Sequence, residues 1–118
     1  MEMSKKKYGN ILILDDEKTN IDIIKSELKN DYAIYFATQP NHALEILKNV
    51  KIELILLDIV MPEMTGFEFF KAIKQLPEYK DVKVIFITAK TDINTIVEGF
   101  EQGAVDYIFS LYESKEEN

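Results

Sequence analysis

The 118-residue chain has no cysteine and one histidine, His42. The first absence excludes disulfides, thiolate zinc sites and cysteine nucleophiles. The second leaves no partner for a histidine metal cluster and argues against Ser-His-Asp catalysis. His42 itself falls among solvent-facing positions of a predicted helix and reads as a surface residue. There is no basic excess either: 14 Lys and Arg against 21 Asp and Glu give a net charge of −7. That balance argues against a nucleic-acid-binding face and against docking on anionic lipid. Long apolar runs are also missing, since the stretches at 11–14 and 54–57 are far too short to span a membrane. Lys5, Lys6 and Lys7 are followed by one short apolar run before Asp15 and Asp16. Residues 1–8 therefore read as a solvated tail, not a signal peptide. No internal repeat, low-complexity tract or linker interrupts the chain, so the expectation is one acidic cytoplasmic domain over residues 1–118.

What is present is ordinary for a globular domain, with 47% hydrophobic and 30% charged residues. At this length roughly 65% of the unfolded chain's surface can be buried in one core. The apolar pattern alternates between two kinds of segment. Short continuous runs at 10–14, 53–57 and 83–87 predict strands buried on both faces. An aromatic-rich run at 32–37 and a last run from 106 to 109 or 112 add two more. Between them lie helical patterns. Ile21, Ile24 and Leu28 mark the first helix (19–29), with Thr19 or Lys18 near its cap. Ala43, Leu44, Leu47 and Val50 line the second, where Pro40 suits the first turn. Phe67, Phe70 and Ile73 mark the third, which must stop before Pro77. Ile93, Ile96, Val97 and Phe100 mark the fourth, capped by Asp92 and ending at Gly103. Phe67, Phe69 and Phe70 read as core and rim packing. Strict strand–helix alternation implies parallel strands joined by crossovers, an α/β doubly wound sheet of five strands in the flavodoxin-like order 2-1-3-4-5.

In such sheets ligands bind beyond the carboxyl ends of the strands where the order reverses, here between the first and third strands. The residues just past them are Asp15, Asp16 and Asp58. Three anions held together repel and need protonation, a basic partner or a cation. No basic residue adjoins them in sequence, and hard oxygen ligands suit Mg²⁺. Two other α/β chemistries lack their signatures. A Mg²⁺ phosphatase would want an Asp-x-Asp motif after a strand. A flavin carrier would want a Ser/Thr/Gly-rich phosphate loop where Asp15-Asp16-Glu17 stands.

The Asp15-Asp16 pair, the stretch Asp58-Ile-Val-Met-Pro-Glu-Met-Thr-Gly66, Ile87-Thr88-Ala89 and Gly103-Ala-Val-Asp-Tyr107 resemble the response-regulator receiver domain of two-component signalling, the CheY-like family. The match runs in order from about residue 8 to about residue 109. The resemblance implies that Asp58 is the phosphoacceptor, attacking the phosphohistidine of a sensor histidine kinase or phosphotransfer protein. It implies Mg²⁺ ligation by Asp16, Asp58 and the Val60 backbone carbonyl, with Asp15 acting through water. Thr88 would hydrogen-bond the phosphoryl group, Ala89 would keep the pocket open, and Tyr107 would rotate as the switch aromatic. Met61-Pro62 would shape the pocket and start the third helix. No conventional enzyme is expected, only self-phosphorylation from phosphodonors and slow autodephosphorylation.

Two departures from the family pattern bear on this expectation. The family's Lys-Pro after the last strand's tyrosine is Ser110-Leu111 here. Ser110 donates a hydrogen bond but brings no charge, and neither Lys90 nor Lys115 stands at that position. After Tyr112 only a short polar stretch, 113–118, remains, so the usual fifth helix is expected to be missing. Leaving three or four large apolar side chains of that sheet face in water would cost roughly 5–10 kcal/mol. That rivals the roughly 5–15 kcal/mol stability of a whole domain, so a homodimer or another partner is expected to cover the face. The leading expectation is a phosphorylatable receiver that switches protein contacts, without direct nucleic-acid or membrane binding. The alternative is a degenerate or truncated receiver serving as a phosphorylation-independent binding or dimerisation module.

Overall fold

The computed structural model describes residues 9–88 and the backbone of strand residues 107–110. Along the described chain run β1 (Asn10–Leu14), α1 (Lys18–Leu28), β2 (Ala33–Ala37), α2 (Pro40–Asn49), β3 (Leu54–Asp58), α3 (Gly66–Lys74), a 3₁₀ turn (Pro77–Tyr79), β4 (Lys83–Thr88) and β5 (Tyr107–Ser110). All neighbouring strands pair in parallel, in the order β2-β1-β3-β4-β5. This is the α/β flavodoxin-like order expected from the strand–helix alternation.

The continuous apolar strands are explained by burial on both faces. Along β1, Ile11 and Ile13 point to one side and Leu12 and Leu14 to the other, because successive side chains alternate. The first side is covered by Ile21 and Ile24 of α1 and shares a cluster with Leu56 and Ile87. The second side carries the larger core, in which Ile55, Leu57, Val84 and Phe86 pack against Ala43 and Leu47 of α2 and Phe67, Phe69 and Ile73 of α3. Phe86 is gripped by two aromatic rings, Phe67 at 4.9 Å and Phe70 at 5.5 Å between centroids. His42 is exposed on α2, as expected.

Several boundaries differ from the sequence expectation for local reasons. Asp58 is the last residue of β3, paired with Ile87 of β4, not the first residue of a loop. The α1 cap is Glu17, next to Lys18, so the helix begins one residue before the expected Thr19, and Glu17 makes no side-chain capping bond. The α3 start is stronger than Met61-Pro62 alone indicated. Thr65 Oγ1 accepts from the Glu68 amide at 3.1 Å, while Glu68 Oε1 accepts from the Thr65 amide at 2.9 Å, a reciprocal capping box. The turn after α3 holds Tyr79, whose hydroxyl lies 2.9 Å from the Leu47 and Val50 carbonyl oxygens and 3.4 Å from the Ile52 amide that donates to it. Aromatic burial and these hydrogen bonds tie the turn to the end of α2. The expected fourth helix (92–103), Ala89 and the stretch 113–118, where no fifth helix is expected, lie outside the described residues.

Candidate functional site

Strand register brings the acidic residues together. Leu14 of β1 pairs with Leu57 of β3, so the next residues, Asp15 and Asp58, stand side by side at the carboxyl edge. Asp15 continues the ladder with β2, its amide donating to the Ala37 carbonyl at 3.2 Å. Asp15, Asp16 and Asp58 each present one carboxylate oxygen within 4.8 Å of the others. Asp15 and Asp58 are buried, at 2% and 8% exposure, and Asp16 is the more open of the three.

Each buried carboxylate is held by its surroundings. Asp15 Oδ1 accepts from the Glu17 amide at 2.8 Å, and its Oδ2 accepts from Asn20 Nδ2 at 3.1 Å. Asp58 Oδ1 accepts a longer bond, 3.3 Å, from the Val60 amide. The loop after β3 folds back tightly at this point: the Gly66 amide donates to the Ile59 carbonyl at 2.7 Å. A side chain at position 66 has no room, because a Cβ there would overlap the Asp58 carbonyl oxygen. Only glycine lets α3 begin against the back of the acidic edge.

Among the described residues no ion pair compensates the charge of the cluster. Burial, then the Asp15 charge and the Asp16 carboxyl, push the Asp58 pKa up to about 8. Burial raises the Asp15 carboxyl as well, although the Glu17 and Asn20 hydrogen bonds pull in the other direction. The nearby Lys18 ammonium pairs with Asp22 at 3.3 Å. Three carboxylate oxygens, two of them desolvated and proton-hungry, form the hard oxygen donor set that Mg²⁺ takes, so the residues present fit that cation. On the solvent side a cleft of about 250 Å³ opens between the first three strand–helix loops, lined by Asp16, Thr38, Pro40, Met61 and Pro62.

The other expected site residues are met by the backbone to different degrees. Val60 lies two residues beyond Asp58 and is 58% exposed, with its amide turned to the carboxylate. Thr88 ends β4 and is in register with Ser110 of β5, which sets both at the same carboxyl edge. Tyr107 begins β5 opposite Ile85, three residues further from that edge. The side chains of Thr88, Tyr107 and Ser110 lie outside the described residues. Asn20 was missed from the sequence. Its signal was available, as a polar residue one step from Ile21 and one turn before Ile24 in the apolar stripe of α1.

Comparison with known proteins agrees with this geometry. Residues 11–115 match the family model described as the response regulator receiver domain. A probable cyclic di-GMP phosphodiesterase of Vibrio cholerae is 44% identical over 109 residues, covering 92% of this chain and 25% of that protein. The transcriptional regulatory protein YvrH of Bacillus subtilis is 41% identical over 102 residues, 85% of this chain and 42% of that protein. The chain thus spans less than half the length of these relatives. Among solved structures, Vibrio cholerae chemotaxis protein CheY4 has a TM-score of 0.76 at 27% identity, covering 86% of this chain and 85% of that one. Response regulator TrrA of Thermotoga maritima, solved in complex with Mg²⁺-BeF, has a TM-score of 0.73 at 27% identity and covers 92% of this chain and 94% of that one. With its acidic edge at the β1–β3 crevice and a family match over nearly its whole length, the chain belongs to the response regulator receiver domains.

Proposed function

We propose that Asp58 accepts a phosphoryl group from a sensor histidine kinase or phosphotransfer protein, and that the resulting phosphoaspartate changes protein contacts. The observation that carries this reading is the convergence of Asp15, Asp16 and Asp58 within 4.8 Å at the crevice between β1 and β3. Asp16, Asp58 and the Val60 carbonyl would hold Mg²⁺, and Asp15 would act through a bound water. When bound, the cation neutralises the charge of the transferring group.

In the transfer step a carboxylate oxygen of Asp58 bonds to phosphorus as the phosphorus–nitrogen bond of the donor phosphohistidine breaks. The electron pair leaves on the imidazole, and an acyl phosphate remains on Asp58. A carboxyl with a pKa near 8 is mostly protonated at neutral pH and is a weak nucleophile. Loss of that proton is therefore part of activating the site. The Val60 amide steadies the carboxylate, and the cleft beside Asp16 gives the donor access. Thr88 then hydrogen-bonds a phosphoryl oxygen, and Tyr107 follows as the switch aromatic. Ser110 takes the family lysine's place with a hydroxyl and no charge.

Intact mass after incubation with Mg²⁺ and acetyl phosphate tests the reading. A Mg²⁺-dependent phosphoryl adduct on the parent that is missing from Asp58→Asn supports it. If no adduct forms and beryllofluoride with Mg²⁺ also fails to bind, the phosphorylation-independent binding module takes its place.

The reading includes a cytoplasmic location and a homodimer formed over the α1 side of the sheet. Ile34, Phe36, Leu54 and Ile85 on that side are only partly buried, and this supports a partner there. A native mass that stays monomeric across a wide concentration range, with and without phosphodonor, counts against the homodimer.

A further inference from the structure

Asn20 is out of place energetically. It lies in α1 beside Ile21 and is 3% exposed. Its Nδ2 donates to Asp15, while its Oδ1 is a buried acceptor without a donor. An unmatched buried acceptor costs stability, and here that cost is offset by the bond the same amide makes to a buried carboxylate. The residue is therefore understood through the group it touches.

That group is Asp15. Its two oxygens are tied from opposite directions, Oδ1 by the Glu17 amide at 2.8 Å and Oδ2 by Asn20 at 3.1 Å. The Glu17 contact alone leaves the carboxylate free to swing about one oxygen, whereas the second contact fixes its plane. The amide orientation follows from the same contact, because an Oδ1 turned toward Asp15 would set two acceptors against each other. The backbone cannot supply this second donor, since the Asp15 amide is already spent on the sheet edge at Ala37.

Resting on the Mg²⁺ reading above, we propose that Asn20 is a positioning residue of the cation site, acting through Asp15. It holds the Asp15 carboxylate in the pose that receives the cation's bound water. Direct outer-shell partners change metal affinity by about 10–100-fold when removed, and Asn20 acts one step further out, through Asp15, so the lower end of that range, about tenfold, is expected.

The experiment titrates Mg²⁺ alone into the full chain by calorimetry, for the parent, Asn20→Leu and Ile24→Val, with thermal melts in the absence of metal. Ile24→Val loosens the same helix face without touching Asp15. The expected result is that Asn20→Leu, still folded in its metal-free melt, binds Mg²⁺ about tenfold more weakly than the parent, while Ile24→Val binds as the parent does. Binding by Asn20→Leu within about twofold of the parent overturns the proposal. An equal loss of affinity in Ile24→Val also overturns it, because general loosening of α1 would then be the cause. Should Asn20→Leu fail to fold, Asn20→Ala is judged by the same ratio. Absence of Mg²⁺ binding in the parent overturns the metal reading and this proposal with it, whereas parent binding matched by the variant overturns this proposal alone.

Discussion

Replacing Asp58 by asparagine should stabilise the metal-free protein, by an amount that depends on pH. The Asp58 carboxyl is 8% exposed, stands beside Asp15 and Asp16, and has its pKa raised from 3.8 to about 8. Between these values the folded state binds a proton that the unfolded state releases, so stability falls as pH rises through this window. Below about pH 4 both states are protonated and the carboxyl carries no such penalty. At pH 7 the unfolded chain has gained about 4 kcal/mol from ionising Asp58, at about 1.4 kcal/mol per pH unit. Asparagine has the same shape, keeps an acceptor for the Val60 amide and does not ionise. Asp58→Asn should therefore be more stable than the parent by up to about 4 kcal/mol at pH 7, and nearly equal to it at pH 4. Urea unfolding of both proteins in the presence of a chelator, at several pH values from 4 to 8, measures the difference directly. A difference that stays flat with pH, or a less stable Asp58→Asn at pH 7, would refute the claim that the cluster stores repulsion and desolvation at Asp58. Adding Mg²⁺ should close much of the gap, because the cation stabilises the parent by binding only its folded state.

Because the cation competes with a proton at Asp58, apparent Mg²⁺ affinity should rise up to about tenfold per unit as pH climbs toward 8, with close to one proton released per ion near neutrality. Calorimetry in two buffers of different ionisation enthalpy measures that proton, and a pH-independent affinity would count against the coupling. Gly66→Ala should cost about 3 kcal/mol or more, because the new Cβ meets the Asp58 carbonyl in rigid backbone; denaturant midpoints read the loss, and a change below about 1 kcal/mol would mean that α3 can shift at little cost. Tyr79→Phe should cost about 1–3 kcal/mol, since it removes the hydroxyl that serves Leu47, Val50 and Ile52 while leaving the ring. Mg²⁺ affinity of that variant should be unchanged, because Tyr79 bonds the end of α2 and lines a groove remote from the acidic edge.

The strand order and the place of the site were legible because both depend on short-range patterns. Continuous apolar runs such as those at 11–14 and 54–57 fit strands covered on both faces, and helical spacing between them implies crossovers and a parallel sheet. Once β1 and β3 are neighbours, Asp15, Asp16 and Asp58 must meet at their carboxyl ends, although 42 residues separate Asp16 from Asp58. The residue types then call for protonation, a basic partner or a hard cation, and the resemblance to receiver domains pointed to the last. What depends on packing was not legible. Asp58 proved to be a strand residue in register with Ile87, and that enclosure is what raises its pKa. The need for glycine at 66 arises from a backbone approach between α3 and the end of β3. Asn20 looked like one more polar residue of α1 until the helix was seen seated with that residue inward, its amide on Asp15. The linear sequence thus determined which groups are present and at which edge they gather, through periodicity and charge. Only the tertiary structure decided how deeply each carboxyl is buried and which donor meets which oxygen, because desolvation and hydrogen-bond direction exist only once segments far apart in the chain are in contact.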